Sequence, residues 1–309
     1  MQNARKRGLI AALGKNMREH WQLYLMILPV VAAFVIFAYI PMGGLVIAFQ
    51  KFAPRLGIMR SKWVGFKWFS DFFHDVYFFR LMRNTFMLNV YDIIVGFPAP
   101  IVLAILLNEV GLRKVRATFQ TMMYLPYFIS MIVLCGIIHE FCDRDGVVND
   151  LIAFFGGQRS GLLTKPLLFK PIFILTNMWQ YAGWNSIIYM AAMSSIDAEL
   201  YDAAYVDGCG RLRQTIHVTL PGLLPTIIIM FILRIGNIMT VGFEKVILLY
   251  NAMTLESADV ISSYVYRRGI MEANYSYATA VGLFNSVLNC AFLFGANYLS
   301  RRSTEESLW

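Results

Sequence analysis

Charge is absent from long stretches of this chain. Residues 23–49, 172–196 and 273–300 contain no Asp, Glu, Lys or Arg. Each exceeds the ~20 residues that a helix needs to cross a hydrocarbon core of about 30 Å. A fourth uncharged run, residues 119–138, lies between Arg116 and Glu140. Two further runs are apolar with polar interruptions: residues 85–107 contain Asp92, and residues 220–249 contain Arg234, Glu244 and Lys245. The pattern predicts an all-α polytopic membrane protein with six transmembrane helices and both termini on one side. Pro29, Pro41, Pro98, Pro100 and Pro126 fall in or near these spans. Proline is tolerated there when neighbouring groups satisfy the freed backbone.

Composition agrees and narrows the class. The 309 residues are 58% hydrophobic, 15% aromatic and only 15% charged, with a formal net charge of +8. A soluble domain carries about 25% charged residues, and a disordered chain lacks the apolar surface seen here. The length suits six or seven spans. No nucleic-acid partner is expected; lipid is. The segment 1–22 is a basic tail with Arg5, Lys6, Arg7, Lys15 and Arg18. A signal peptide also begins basic, but its apolar region is only ~7–15 residues. The first run is about twice that and reads as a retained anchor.

The four cysteines form no framework: Cys135 and Cys142, seven apart on one helix, differ by about 10.5 Å in rise, too far for a disulfide. They read as small buried hydrophobes, and the four histidines show no metal-ligand spacing. Gly8 to Asn16 approaches a phosphate loop but has five residues between its glycines and Asn where Mg²⁺ needs a hydroxyl. The segment is therefore not read as a nucleotide site. Orientation is not settled by charge. With the N-terminus inside, inner segments hold 12 Lys and Arg and outer segments 13, so the positive-inside rule ties.

The segment 197–221 is longer than a plain connection needs and is built as structure. Asp197 can cap a helix, Glu199 suits its first turn, and Gly208 can end it. Leu200, Ala203 and Ala204 share a face. A short helix with small apolar residues on one face and acids elsewhere suits a groove in another protein. A lipid-facing helix would carry Lys and Arg opposite Trp or Phe.

Asp202-Ala203-Ala204, three residues, Gly208, nine residues, then Val218-Thr219-Leu220-Pro221 resembles the EAA loop of ABC importer permeases, with Asp for Glu and Val for Ile. Further stretches resemble the LplB-like permeases of carbohydrate importers. These are Tyr39-Ile-Pro-Met-Gly-Gly-Leu45, Asn108-Glu109, Gln120-Thr-Met-Met-Tyr-Leu-Pro126, Gly183-Trp-Asn-Ser-Ile-Ile-Tyr189, Gly242-Phe-Glu244, Asp259-Val-Ile261, Tyr275 to Phe284, and Ser307-Leu-Trp309. The resemblance implies a type I (MetI-like) permease domain over residues 23–300, with a cytoplasmic tail at 301–309. It implies a second homologous permease, two ATPase subunits holding ATP and Mg²⁺, and an extracellular solute-binding protein. This chain would bind no cofactor or metal and perform no catalysis. Glu199, Asp202, Ala203, Ala204, Asp207, Gly208 and Arg211 would couple to the ATPase, making the loop and both termini cytoplasmic.

Sugars present hydroxyls at the ring edge and an apolar C–H face, which amides and indoles together match. Asn177, Trp179, Gln180, Tyr181, Trp184 and Asn185 crowd the fourth span. Asn177, Gln180 and Trp184 are taken to face the path together, joined by Asn185, Glu244 and Asn285, with Trp179 toward a neighbour or lipid. The expected function is the membrane path of an ATP-driven oligosaccharide importer working by alternating access. The alternative is a secondary transporter with Asp92, Glu244 and Arg234 as a proton relay. Structurally, the same charges could instead pair across helices, with Arg234 between the two carboxylates.

Overall fold

The computed structural model describes residues 19–303 with 307 and 308. The basic stretch 1–18, with its near miss to a phosphate loop, and the terminal Trp309 lie outside the described residues. The chain divides into two compact units, residues 1–67 and 68–309.

The first unit is a helical rod, α1 (Trp21–Phe49), and a small hairpin. None of the side chains of Trp21–Phe34 is buried. In the hairpin, β1 (Gln50–Lys51) pairs antiparallel with β2 (Lys62–Trp63), and Phe49 stacks on Trp63 at 5.8 Å. Ser61 closes the intervening loop, accepting from the Ala53 N–H and donating to the Gly57 carbonyl.

The second unit begins with α2 (Lys67–Phe73), which straddles the boundary, and α3 (Phe78–Glu109). It continues through α4 (Arg113–Tyr124), α5 (Met131–Cys142), α6 (Val147–Phe154) and α7 (Pro166–Met193). The rest comprises α8 (Ala198–Val206), α9 (Arg211–Ile235), α10 (Phe243–Leu249), α11 (Ile261–Tyr266) and α12 (Tyr275–Ser303).

Among the described residues, α1, α3, α9 and α12 are long and apolar enough to cross a membrane. At 28 residues α7 has the length, though its amides and Lys170 make it less apolar. Two expected spans differ. The run 119–138 is not one rod: the helical stretches Arg113–Phe128 and Met131–Phe154 meet at 99°. The break follows Pro126, and Ser130 restarts the chain by capping α5. The expected span 220–249 begins earlier, at Arg211, and stops at Ile235. Beyond Gly236 the chain turns before α10, so Glu244 and Lys245 lie outside that span.

Three widened turns within the helices share a cause. A proline clashes with the carbonyl four residues before it and cannot donate to it. Pro41, Pro98 and Pro221 each follow, two residues on, a widened π turn: Val35–Tyr39, Asp92–Gly96 and Thr215–Thr219. The wider turn carries the troublesome carbonyl out of the ring's way.

Three buried clusters hold the second unit together. Leu134, Cys135, Phe173, Val246 and Leu249 join α5, α7 and α10. Phe72, Leu81, Ile261 and Tyr277 join α2, α3, α11 and α12. Ala104, Tyr189, Met193 and Leu223 join α3, α7 and α9 at the end nearer α8. Close approach is visible at Gly183, where any Cβ would collide with the Met123 carbonyl. All four cysteines are free. Cys135 and Cys142 are buried as expected, but Cys209 is half-buried and Cys290 exposed. Both lack the tight packing expected of small core hydrophobes. In the C-terminal tail, the Leu308 N–H donates to Asn297 on α12 at 2.8 Å.

Candidate translocation cavity and coupling helix

A cavity of about 490 Å³ opens among α3, α7 and α9. The π turn in α3 places Asp92 at its wall. The carboxylate accepts from the Arg234 guanidinium on α9 and, at 3.1 Å, from the Asn177 side-chain amide on α7. Arg234 also donates to Asn89 Oδ1 at 3.3 Å. Charge at membrane depth is costly unless paired, and here one cation meets one anion with amides on both sides. Along α7, Asn177, Tyr181 and Asn185 recur every fourth residue and line the cavity, with Asn237 and Thr240 opposite. The polar part of the wall is thus hydroxyls, amides and one neutralised ion pair, set among apolar side chains such as Phe97, Met230 and Leu233.

The sequence-predicted path residues are divided by this geometry. Asn177 and Asn185 line the cavity. Gln180 is 3% exposed, turned into the protein, and its Oε1 is a buried acceptor with no partner. The Trp184 indole stacks on Tyr127 at 4.4 Å with rings 3° from parallel, so that face is already taken by a protein ring. Trp179 faces an apolar groove with Val102 and Leu106. Glu244 is exposed at the start of α10, in a separate pocket with Ser130 and Tyr266, and makes no salt bridge among the described residues. The expected bracketing of Arg234 by two carboxylates is therefore not formed, and neither is a relay joining all three charges. Asn285 Oδ1 is buried without a partner, and Asn289 ties α12 to Met239 and Thr240. Tyr181, Asp92 and Arg234 line the cavity without having been chosen for the path. For Tyr181 the signal that could have found it is the four-residue recurrence from Asn177; Asp92 and Arg234 lie on other helices and give no such signal.

The loop 197–221 is organised by local chemistry. Asp197 accepts from the Glu199 N–H at 3.0 Å and caps α8. At the other end Gly208 adopts φ +76°, a conformation that other residues disfavour. This lets the Gly208 N–H reach Tyr205 O at 3.0 Å and the Cys209 N–H reach Ala204 O at 2.9 Å, a Schellman closure. Tyr201 hydrogen-bonds Thr219 at 3.0 Å, seating α8 on the base of α9. Arg211 approaches Glu109 at 3.6 Å, a solvent-exposed pair of little energetic weight. No residue of α8 is buried, and Leu200, Tyr205 and Val206 are exposed to 54, 76 and 83%. Asp202, Ala203 and Asp207 are exposed as well, with Ala204 partly covered.

At the opposite end of the bundle, ion pairs are closed and buried. Asp259, fully inaccessible, accepts from Arg267 at 2.6 Å, Arg80 at 3.4 Å and Ser263 at 2.8 Å. Burial works against the Asp75 carboxylate, but bonds from Tyr264, the Tyr77 N–H and Tyr277, with the charge of Arg268, outweigh it and hold its pKa below the usual value. Burial and the same Asp75 bond push the Tyr264 phenol up.

An amphipathic, doubly capped surface helix beneath a bundle with a polar cavity is the layout of a transport-system membrane subunit. Residues 82–305 match the family described as binding-protein-dependent transport system inner membrane component. The chain belongs to this family. It is a multi-pass permease component and not an enzyme; ATP hydrolysis in the family lies on a separate subunit.

Two relatives come from Bacillus subtilis (strain 168). Protein LplB is 43% identical over 94% of this chain and 92% of its own. The polygalacturonan/rhamnogalacturonan transport system permease protein YteP is 42% identical over 93% and 90%. A chain in the crystal structure of a bacterial ABC transporter involved in import of the acidic polysaccharide alginate superposes with a TM-score of 0.86. It is 42% identical, over 95% of this chain and 99% of that one.

Proposed function

We propose that this chain forms one half of the membrane path of an ATP-driven oligosaccharide importer. The observation that carries the reading is α8: a helix closed at both ends whose Leu200, Tyr205 and Val206 stand in solvent. Exposed apolar groups on a rigid, capped element call for a partner surface. The partner is an ATPase subunit, two of which hold ATP and Mg²⁺. Asp202 and Glu199 contribute the acidic side of the contact, with Ala203, Ala204, Asp207, Gly208 and Arg211 completing it. In this reading α8, the tail 1–22 and the tail 301–309 are cytoplasmic and residues 23–300 are the membrane domain.

A second, homologous permease supplies the other half of the path, and a solute-binding protein delivers the sugar from outside. A neighbouring solved structure is of the alginate transporter with an alginate pentasaccharide-bound periplasmic protein. The wall of amides and hydroxyls at Asn177, Tyr181 and Asn185 suits a hydroxyl-rich solute, and relatives carrying polyuronates point to acidic oligosaccharides. ATP closure draws the coupling helices together and opens the bundle outward; hydrolysis resets it.

The test is an uptake assay on the assembled importer with a panel of neutral and acidic oligosaccharides. Asp202→Lys is expected to abolish uptake while the permease still folds, because the variant inverts a charge on an element that buries nothing within its own chain. Parental uptake by an assembled Asp202→Lys complex would overturn the coupling role.

A further inference from the structure

A second cavity, of about 660 Å³, lies on the outer flank of α3 and α7, away from the amide-lined one. Its polar end holds Arg83, Lys170 and Asn84; its length is walled by Tyr91, Val95 and Leu175. Asn84 is fully buried and fixed: its amide N–H groups donate to the carbonyls of Glu256 at 2.9 Å and Asp259 at 3.0 Å. Its Oδ1 is thereby turned toward the cavity and accepts one N–H of Lys170 at 3.2 Å. An ammonium has three donors, so Lys170 is oriented by Asn84 with donors to spare. No carboxylate lines this cavity, and among the described residues neither Arg83 nor Lys170 makes a salt bridge. Two cations held side by side without an anion repel each other and favour an anionic guest.

The shape says which guest. Arg83 and Val95 are twelve residues apart on one helix, a rise of about 18 Å. That is roughly half the thickness of a hydrocarbon core. Charge is therefore confined to one end, at the level where α3 and α7 begin, and the remainder runs along apolar side chains toward the middle of the bilayer. Leu175 is 54% and Val95 41% exposed, so the groove opens sideways. Along this wall a sugar would find a single phenol, Tyr91, among apolar side chains. An acyl chain would find partners along it.

We infer that the groove between α3 and α7 binds an anionic phospholipid, its phosphodiester between Arg83 and Lys170 and one acyl chain against Tyr91, Val95 and Leu175. The lipid belongs to the leaflet opposite α8 and would brace α7, whose far face lines the solute cavity, against α3.

The assembled importer, stripped of lipid in detergent, is titrated with phosphatidylglycerol or phosphatidylcholine, and retained lipids are counted by native mass spectrometry. Wild type is expected to keep phosphatidylglycerol selectively. The double variant Arg83→Gln/Lys170→Gln should retain it roughly thirtyfold more weakly, the combined effect expected of two interfacial cations. Val95→Trp keeps both cations and fills the groove, so it should also lose the lipid; it decides the matter if the double variant fails to assemble. Unchanged retention in either variant, or equal retention of the two lipids, would overturn the inference. Displacement of phosphatidylglycerol by a galacturonate trisaccharide would do the same and assign the cations to the solute.

Discussion

The two ends of the second unit solve opposite problems. At one end Asp259, Arg80, Arg267 and Ser263 form a buried polar knot in which the carboxylate serves three donors from within the chain. At the other, α8 satisfies its own backbone ends and buries no side chain. The first region draws its partners from within the chain, although Arg80 Nε and Arg267 Nη1 stay buried without one. The second is complete only as a backbone, and its side chains await another surface. The difference separates two kinds of importance: removing Asp259 should destroy a structure, whereas altering α8 should destroy an interaction and leave the structure standing.

Three substitutions test this contrast. The largest effect is expected from Asp259→Ala, which strands two guanidinium groups around an empty site. Losing one partner of a buried charge network costs about 3–5 kcal/mol, and the solubilised complex should unfold at a clearly lower temperature or fail to accumulate. A variant as heat-stable as the parent would erase the distinction between the two ends. Next is Gly208→Val, which forces a β-branched residue to φ +76°. The left-handed conformation costs roughly 1–2 kcal/mol per residue, enough to unravel the closure of α8. Uptake should fall while thermal unfolding of the bundle stays put; a parallel drop in both would mean that α8 is part of the core. The smallest effect comes from Ala273→Gly. Ala273 sits at φ +53° just before α12, the one non-glycine residue with positive φ among those described. Relieving it should raise stability by about 1 kcal/mol without touching uptake, read as a small upward shift in the same melt.

Legibility from sequence followed the range of the interactions. The caps of α8 act within a few residues, so Asp197 and Gly208 could be assigned their places in advance. The uncharged runs 23–49 and 273–300 were equally plain. The break in the third run was not foreseen because an uncharged run says nothing about direction, and the chain bends by 99° between Pro126 and Ser130. The fifth was drawn too long because apolar α10 continues the composition of α9 after the helix has ended. The cavity face was harder for a geometric reason. Residues three and four apart both lie near one another on a helix, so Asn177 could share a face with Gln180 and Trp184 or with Tyr181 and Asn185. Only packing against Tyr127 and α3 decides, and it selects the second set for the cavity. The Asp259 knot was invisible, since Arg80 is 179 residues away from it in the chain.

The widened turns before Pro41, Pro98 and Pro221 have a mechanical consequence. A regular helix resists bending because every turn is tied to the next by the same set of bonds. At these three places the ladder is already interrupted, and flexing there sacrifices about one hydrogen bond less than flexing anywhere else, a saving on the order of 1 kcal/mol. Each of these three spans is thus a jointed rod, stiff in its halves and compliant at a known point. In α3 that point is Asp92, so any torque applied to the rod is delivered as rotation at the ion pair with Arg234 instead of being spread thinly along its length.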